Sequence, residues 1–300
     1  MLKIAWSDIY NHPLPEGHRF PMLKYDLIPE QLLYEGTIEK ENLFYPSPVD
    51  EKIILLAHKK SYWDKLKSLS LSKQEERRSG FPLSAELVER EVLIAGGTVQ
   101  TALYAFDYGV SMNVAGGTHH AFSDAAEGFC LLNDIAIAAN YLLKKNLAYK
   151  ILIIDLDVHQ GNGTAEIFAD NENVFTFSIH GKNNFPHKKQ TSDLDVALED
   201  STGDEDYLNI LKENLDYLFE YVRPDFVFYQ SGVDILSSDK LGKISLSREA
   251  CKERDRMVFT YCIRHNIPVS VTMGGGYSDR IIDIVEAHCN TFRLAQQLFF

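Results

Sequence analysis

The stretch ILIIDLDVHQGNG, residues 151–163, decides how this chain folds. Its first half is a short apolar run of the kind that fills a strand covered on both faces. Its second half carries Asp155, Asp157 and His159 and leaves through Gly161 and Gly163. A buried strand does not take up carboxylates unless they are paired or hold an ion. Residues 155, 157 and 159 are two apart, so extended backbone would point them to one face. Asp157 and His159 would then reach one ion as oxygen and nitrogen donors. Asp residues at such a place also cap turns and helices; the His two positions on and the glycine-rich exit favour the ion.

Outward from this stretch the pattern repeats. Further short apolar runs lie at residues 112–115, 174–179, 226–229 and 269–273, and segments with helical spacing lie at 83–106, 134–143, 207–221 and 248–265. Strand–helix alternation predicts a single α/β domain, residues 1–300, around a mostly parallel sheet with helices on both faces. The polar segment 68–80 is expected as a surface excursion and the polar segment 181–203 as an extended loop. In open parallel sheets ligands bind beyond the carboxyl ends of the strands, and the chemically loaded residues follow the apolar runs. Gly116-Gly117-Thr118-His119-His120 follows one, Ser231-Gly232-Val233-Asp234 another, and Gly274-Gly275-Gly276-Tyr277 a third.

Asp234, at a separate strand end, is the candidate third ligand. One His and two Asp with an open position suit catalytic zinc; such a donor set also accepts Fe(II) or Co(II). Gly116 and Gly117 allow the turn that would bring both His119 and His120 to one site. A histidine there takes a proton from an attacking water and returns one to a leaving amine. The glycine run before Tyr277 lacks both the G-x-G-x-x-G spacing and a following Lys, so it is no phosphate loop. It lets backbone approach a ligand while Tyr277 offers its hydroxyl to an oxyanion.

Bulk properties narrow the function. Thirty Lys and Arg against 43 Asp and Glu give a formal net charge of −13, which argues against general nucleic-acid binding and weakly favours a cationic substrate. The four cysteines form no C-x-x-C pair and read as reduced thiols. No apolar run is long enough to span a bilayer, and the N-terminus lacks a signal-peptide run, so a cytoplasmic location is expected. Oligomeric state is not readable.

Taken together, these motifs resemble the histone deacetylase family, closest to bacterial and class IV-like members. GGTHHAFSDAAEGFCLLND (116–134) resembles its paired-histidine segment, DLDVHQGNGT (155–164) its metal segment, and SGVD (231–234) and GGGY (274–277) the remaining two. HRFPMLKY (18–25) and GFPLS (80–84) are similar to bacterial and class IV members. The resemblance implies the arginase/deacetylase fold, with about eight strands, and zinc-dependent hydrolysis of an acyl-lysine amide. It implies zinc ligands at Asp157, His159 and Asp234, a general base at His120 with His119 as its partner, and a carbonyl-polarising Tyr277. Gly128, Phe129 and Gly275 would line the acyl-lysine tunnel, with Phe185 as its opposite wall. A structural potassium ion would lie near Asp155, Ser178 and Ile179, with Asn162 behind the histidines. Gln160 and Asn162 stand where many class I members have His and Asp, so His120 should be less basic here. Gly161 stands where a two-metal ureohydrolase needs a second carboxylate. An acetylpolyamine amidohydrolase and a catalytically silent acyl-lysine-binding protein are the alternative readings.

Overall fold

A computed structural model describes residues 1–300. Eight strands, β1 (Lys3–Ala5), β2 (Leu43–Phe44), β3 (Val110–Asn113), β4 (Ile151–Asp155), β5 (Val174–Gly181), β6 (Leu194–Leu198), β7 (Phe226–Gln230) and β8 (Val269–Thr272), form one sheet in the order β2-β1-β3-β8-β7-β4-β5-β6. Every pairing is parallel. The helices are α1 (Lys24–Tyr34), α2 (Glu51–Ile54), α3 (Lys60–Lys67), α4 (Lys73–Ser79), α5 (Ala85–Tyr108), α6 (Asp134–Lys144), α7 (Asn162–Phe168), α8 (Asp204–Tyr217), α9 (Arg248–His265) and α10 (Ile281–Phe299). This is the expected single-domain α/β architecture, with helices flanking the sheet. Helix α5 packs on β1, β3, β8 and α6, while α1, α10, α9 and α8 pack in succession.

The central strands are apolar because neither face meets water. Ile151, Leu152, Ile153 and Ile154 of β4 are all buried, and burying each such side chain favours folding by about 1.5–3 kcal/mol. β4 lies between β5 and β7, with Ile153 paired to Thr176 on one side and Phe228 on the other. Helix starts are marked by polar caps: Ser84 Oγ accepts from Leu87 N at 3.1 Å ahead of α5, and Ser247 Oγ accepts from Ala250 N at 3.1 Å ahead of α9. These supply partners for amides that the first turn leaves free.

Two expectations need correction. Segment 181–203 is not all loop, because β6 lies within it and pairs with β5 at the sheet edge. An edge strand keeps solvent-exposed side chains and therefore lacks an apolar run. Segment 68–80 keeps to the surface as expected and there forms helix α4, started by a reciprocal capping box between Ser72 and Glu75. Finally, Asp157 and His159 do not continue the strand. β4 ends at Asp155, and the next residues bend.

Candidate metal centre and catalytic pocket

That bend is what brings the donors together. Asp157 N donates to Asp155 Oδ1 at 3.2 Å, and His159 N donates to Asp157 Oδ1 at 3.0 Å. Each Asp side chain thus closes a local turn on the backbone two residues on. Val158 N reaches across to Asp234 Oδ1 at 3.0 Å, tying the end of β4 to the loop after β7. The donor atoms of Asp157, His159 and Asp234 all lie within 4.8 Å of one another, and all three residues are buried. His159 Nδ1 faces Asp157 Oδ1 at 3.0 Å and Asp234 Oδ2 at 3.1 Å.

Glycines make room for this cluster. Gly275 N donates to Asp157 Oδ2 at 2.7 Å. A Cβ added to Gly275 would overlap Asp234 Oδ2, and one added to Gly232 would overlap Asp157 Oδ2. Gly116 and Gly117 both have left-handed backbone, φ +82° and +77°, and Asp134 holds that turn by accepting from Thr118 N at 2.9 Å and Gly117 N at 3.2 Å.

The turn delivers the two histidines side by side, with ring centroids 4.1 Å apart. His119 Nδ1 faces Asp155 Oδ2 at 2.7 Å, and its Nε2 lies 4.0 Å from Asp157 Oδ1. His120 Nδ1 meets Asn162 Oδ1 at 2.7 Å. The Asn162 amide nitrogen faces the Glu127 carboxylate at 3.4 Å. Because a carboxylate only accepts, this assigns Oδ1 to the histidine side. His120 therefore carries its proton on Nδ1, and its Nε2 keeps a free lone pair.

Aromatic walls lead to the cluster. The Phe185 ring lies 4.9 Å from that of His120, and the Phe129 ring 6.1 Å from that of Tyr277. The Tyr277 ring lies 6.2 Å from the His159 ring. Gly128, at φ +53°, sits so close that an added Cβ would come within 2.7 Å of His120 Cδ2 and 3.0 Å of Phe185 Cε1.

The family described as histone deacetylase domain matches residues 18–292. The chain belongs to the histone deacetylase family. A Picosynechococcus protein described as uncharacterized is 43% identical over 99% of this chain and 99% of its own length. Histone deacetylase B of Dictyostelium discoideum is 32% identical over 95% of this chain and 71% of its own. The crystal structure of an HDAC homologue complexed with SAHA is 27% identical, with a TM-score of 0.86 over 99% of this chain and 84% of that one. An HDAC homologue from Aquifex aeolicus gives 26% identity and a TM-score of 0.84, with the same coverage.

Buried and close together, the donors of the cluster shift one another's protonation. Burial and the charge of Asp157 push Asp234 up to about 7. Burial opposes a charge on His159, yet hydrogen bonds with Asp157 and Asp234 outweigh it and push that imidazole up to about 10. Two buried carboxylates at this spacing call for positive charge between them, and a divalent cation fits that demand without a proton. The pair of histidines splits in the opposite sense. Burial, then the positive charges of His119 and His159, hold His120 well below its ordinary range, against the help of Asn162. Burial also works against His119, but Asp155 and Asp157 overcome it and raise that imidazole. Burial, then the carboxylates, keep Tyr277 protonated by raising it well above its usual range.

Some supporting residues carried no local signal. Buried Arg254 donates to the carbonyl oxygens of Leu156 at 3.2 Å and Ser231 at 3.3 Å, bracing both ligand loops from behind. Asp239 accepts from Tyr277 N at 2.6 Å. Buried Lys24 donates to Gly274 O at 2.8 Å. Lys24 lies within the HRFPMLKY stretch, but nothing in that stretch marks its role. Behind His119, β4 and β5 pair Asp155 with Ser178, and Ser178 Oγ meets His180 Nδ1 at 3.0 Å. Ile179 is the next buried residue along β5.

Proposed function

We propose that this chain hydrolyses the amide of acyl-lysine through a metal held by Asp157, His159 and Asp234. The observation that carries the reading is one buried Asp–His–Asp cluster with paired histidines and a tyrosine beside it, at the inner end of an aromatic-walled cleft. Three protein donors of this type leave a position open on zinc, and Fe(II) or Co(II) also suit them. An ion there supplies Lewis-acid polarisation of the acyl carbonyl and acidifies the water that attacks it.

The chain's own residues do the rest. His120, with its proton fixed on Nδ1 by Asn162, takes the proton of the attacking water on Nε2. As the C–O bond forms, the Tyr277 hydroxyl donates to the developing oxyanion. His119, kept cationic by Asp155, offsets that charge and gives a proton to the departing lysine nitrogen as the C–N bond breaks. Phe129 and Phe185 hold the lysine stem, with Gly128 and Gly275 giving it room. A potassium ion near Asp155, Ser178 and Ile179 is part of the same reading, supported by the β4–β5 register that sets Asp155 beside Ser178.

The enclosed part of the site holds about 30 Å3 among Tyr25, Arg90, Ile94, Cys130, the paired histidines and Tyr277. That is room for about two waters and favours acetyl over long fatty chains. An acetylpolyamine substrate is disfavoured because Glu127, the one carboxylate lining the outer cleft, is already engaged by Arg78 at 2.7 Å. The test is a hydrolysis screen of zinc-loaded protein on acetyl-, medium-chain and myristoyl-lysine peptides and acetylated polyamines, with Asp157→Ala as the blank. Acetyl-lysine turnover absent from the blank supports the reading. Zinc binding without turnover of any substrate would leave a silent binding protein.

A further inference from the structure

Across the whole chain acid outweighs base, with a formal net charge of −13. The mouth of the cleft has the opposite character. The outer cleft, about 520 Å3, is lined by Arg19, Arg77, Arg78 and Lys243, with Glu127 as its one carboxylate. The four cations are exposed, and they come from three separate places: the segment before α1, the last turn of α4, and the loop before α9.

Two of these cations are uncommitted. Arg78 holds Glu127, and Lys243 lies 3.9 Å from Asp200, which is outside the lining. Arg19 and Arg77 have no carboxylate within ion-pair distance. The Arg19 guanidinium instead stands 6.0 Å over the ring of Phe129, at the wall of the cleft. The acidic remainder of the surface does little to cancel this, because at physiological salt a charge is screened over about 8 Å. A ligand at the mouth therefore feels the nearby cations more than the total charge.

We propose that the acyl-lysine taken by this site lies in an acidic stretch of polypeptide, with Asp or Glu side chains flanking it that dock on Arg19, Arg77 and Lys243. A guanidinium offers a carboxylate two parallel hydrogen bonds, which suits recognition at a rim. This assignment rests on the deacylase reading above. It reverses the expectation, drawn from total charge alone, of a cationic substrate.

The test uses three peptides with the same central acetyl-lysine and acidic, neutral or basic flanks, at physiological salt. Turnover is read as kcat/KM on the wild-type protein. Binding of the same labelled peptides is read by fluorescence anisotropy on Tyr277→Phe protein. The acidic peptide should be favoured over the basic one by about ten-fold, the sum expected from two or three exposed ion pairs, mostly through KM. The preference should shrink or invert in the Arg19→Glu/Arg77→Glu protein and, independently, shrink in Lys243→Glu. Equal, absent or reversed discrimination in both readouts overturns the proposal, as does a ratio unmoved by all three substitutions. Selective binding of the acidic peptide without hydrolysis would sink the deacylase reading and leave this one standing. Hydrolysis indifferent to flanking charge would do the reverse.

Discussion

His120 donates its Nδ1 proton to Asn162 Oδ1 at 2.7 Å, while the adjacent His119 faces the carboxylate of Asp155 at the same distance. Two neighbouring imidazoles thus have unlike partners. The neutral amide fixes a tautomer without stabilising a charge, whereas the carboxylate does both. That division makes His120 the weaker base of the two.

Asn162→Asp should shift this balance. A carboxylate behind His120 raises its basicity, so the acid limb of the kcat/KM–pH profile should move to higher pH. Comparison of the profiles of the two proteins checks this. An unmoved limb would show that His120 is not the group titrating there.

The Tyr277→Phe protein should lose about 10²–10³-fold in kcat, the usual loss when one oxyanion donor is removed. Its metal content should match the wild type, since Tyr277 is not among the ligands. Elemental analysis alongside kinetics separates the two effects. Wild-type turnover in this protein would remove Tyr277 from the mechanism.

Gly128→Ala should damage the pocket and the fold together. The new Cβ would crowd His120 and Phe185, at a backbone φ of +53° that L side chains rarely adopt. The left-handed backbone alone costs about 1–3 kcal/mol, so thermal unfolding should come earlier. A drop in kcat/KM of at least about ten-fold should accompany it as the two walls shift. Unchanged kinetics would mean that the walls do not hold the substrate.

His58, outside the cleft, makes stability depend on pH. It is buried, its Nδ1 facing Phe122 O at 3.0 Å and its Nε2 accepting from Asn133 N at 2.9 Å. Burial brings this imidazole from 6.5 down to about 4. The folded state therefore prefers it neutral. Its contribution is complete above pH 6.5 and is lost as pH falls toward 4, by about 3 kcal/mol at most. Urea unfolding at pH 7.5, 5.5 and 4.5 should show a smaller loss in His58→Gln than in the wild type. Equal losses would place the charge change elsewhere.

The central part of this architecture is legible in the sequence for a physical reason. β4, β7 and β8 are covered on both faces, so β4 and β7 are apolar until their last residue and β8 carries only small hydroxyl residues between its valines, and the residues that end each run stand out against it. The short or peripheral strands lack that contrast. β1 and β2 span three and two residues, and β6 shows side chains to solvent. The bend after Asp155 was also hidden, since residues two apart read as strand until the Asp side chains are seen bonded to backbone amides. Arg254, Asp239 and Lys24 act from remote segments through hydrogen bonds to backbone groups, which leave no periodic trace. The cationic mouth could not be read from total charge, because Arg19, Arg77 and Lys243 meet only after folding.

The most direct test of the account is metal removal and return. Protein stripped with a chelator should lose turnover of an acetyl-lysine peptide and regain it with about one equivalent of zinc per chain, while Asp157→Ala stays inactive under the same titration. Undiminished turnover by the stripped protein, or a fully zinc-loaded wild type that cleaves no acyl-lysine amide, would contradict a metal-dependent deacylase built on Asp157, His159 and Asp234.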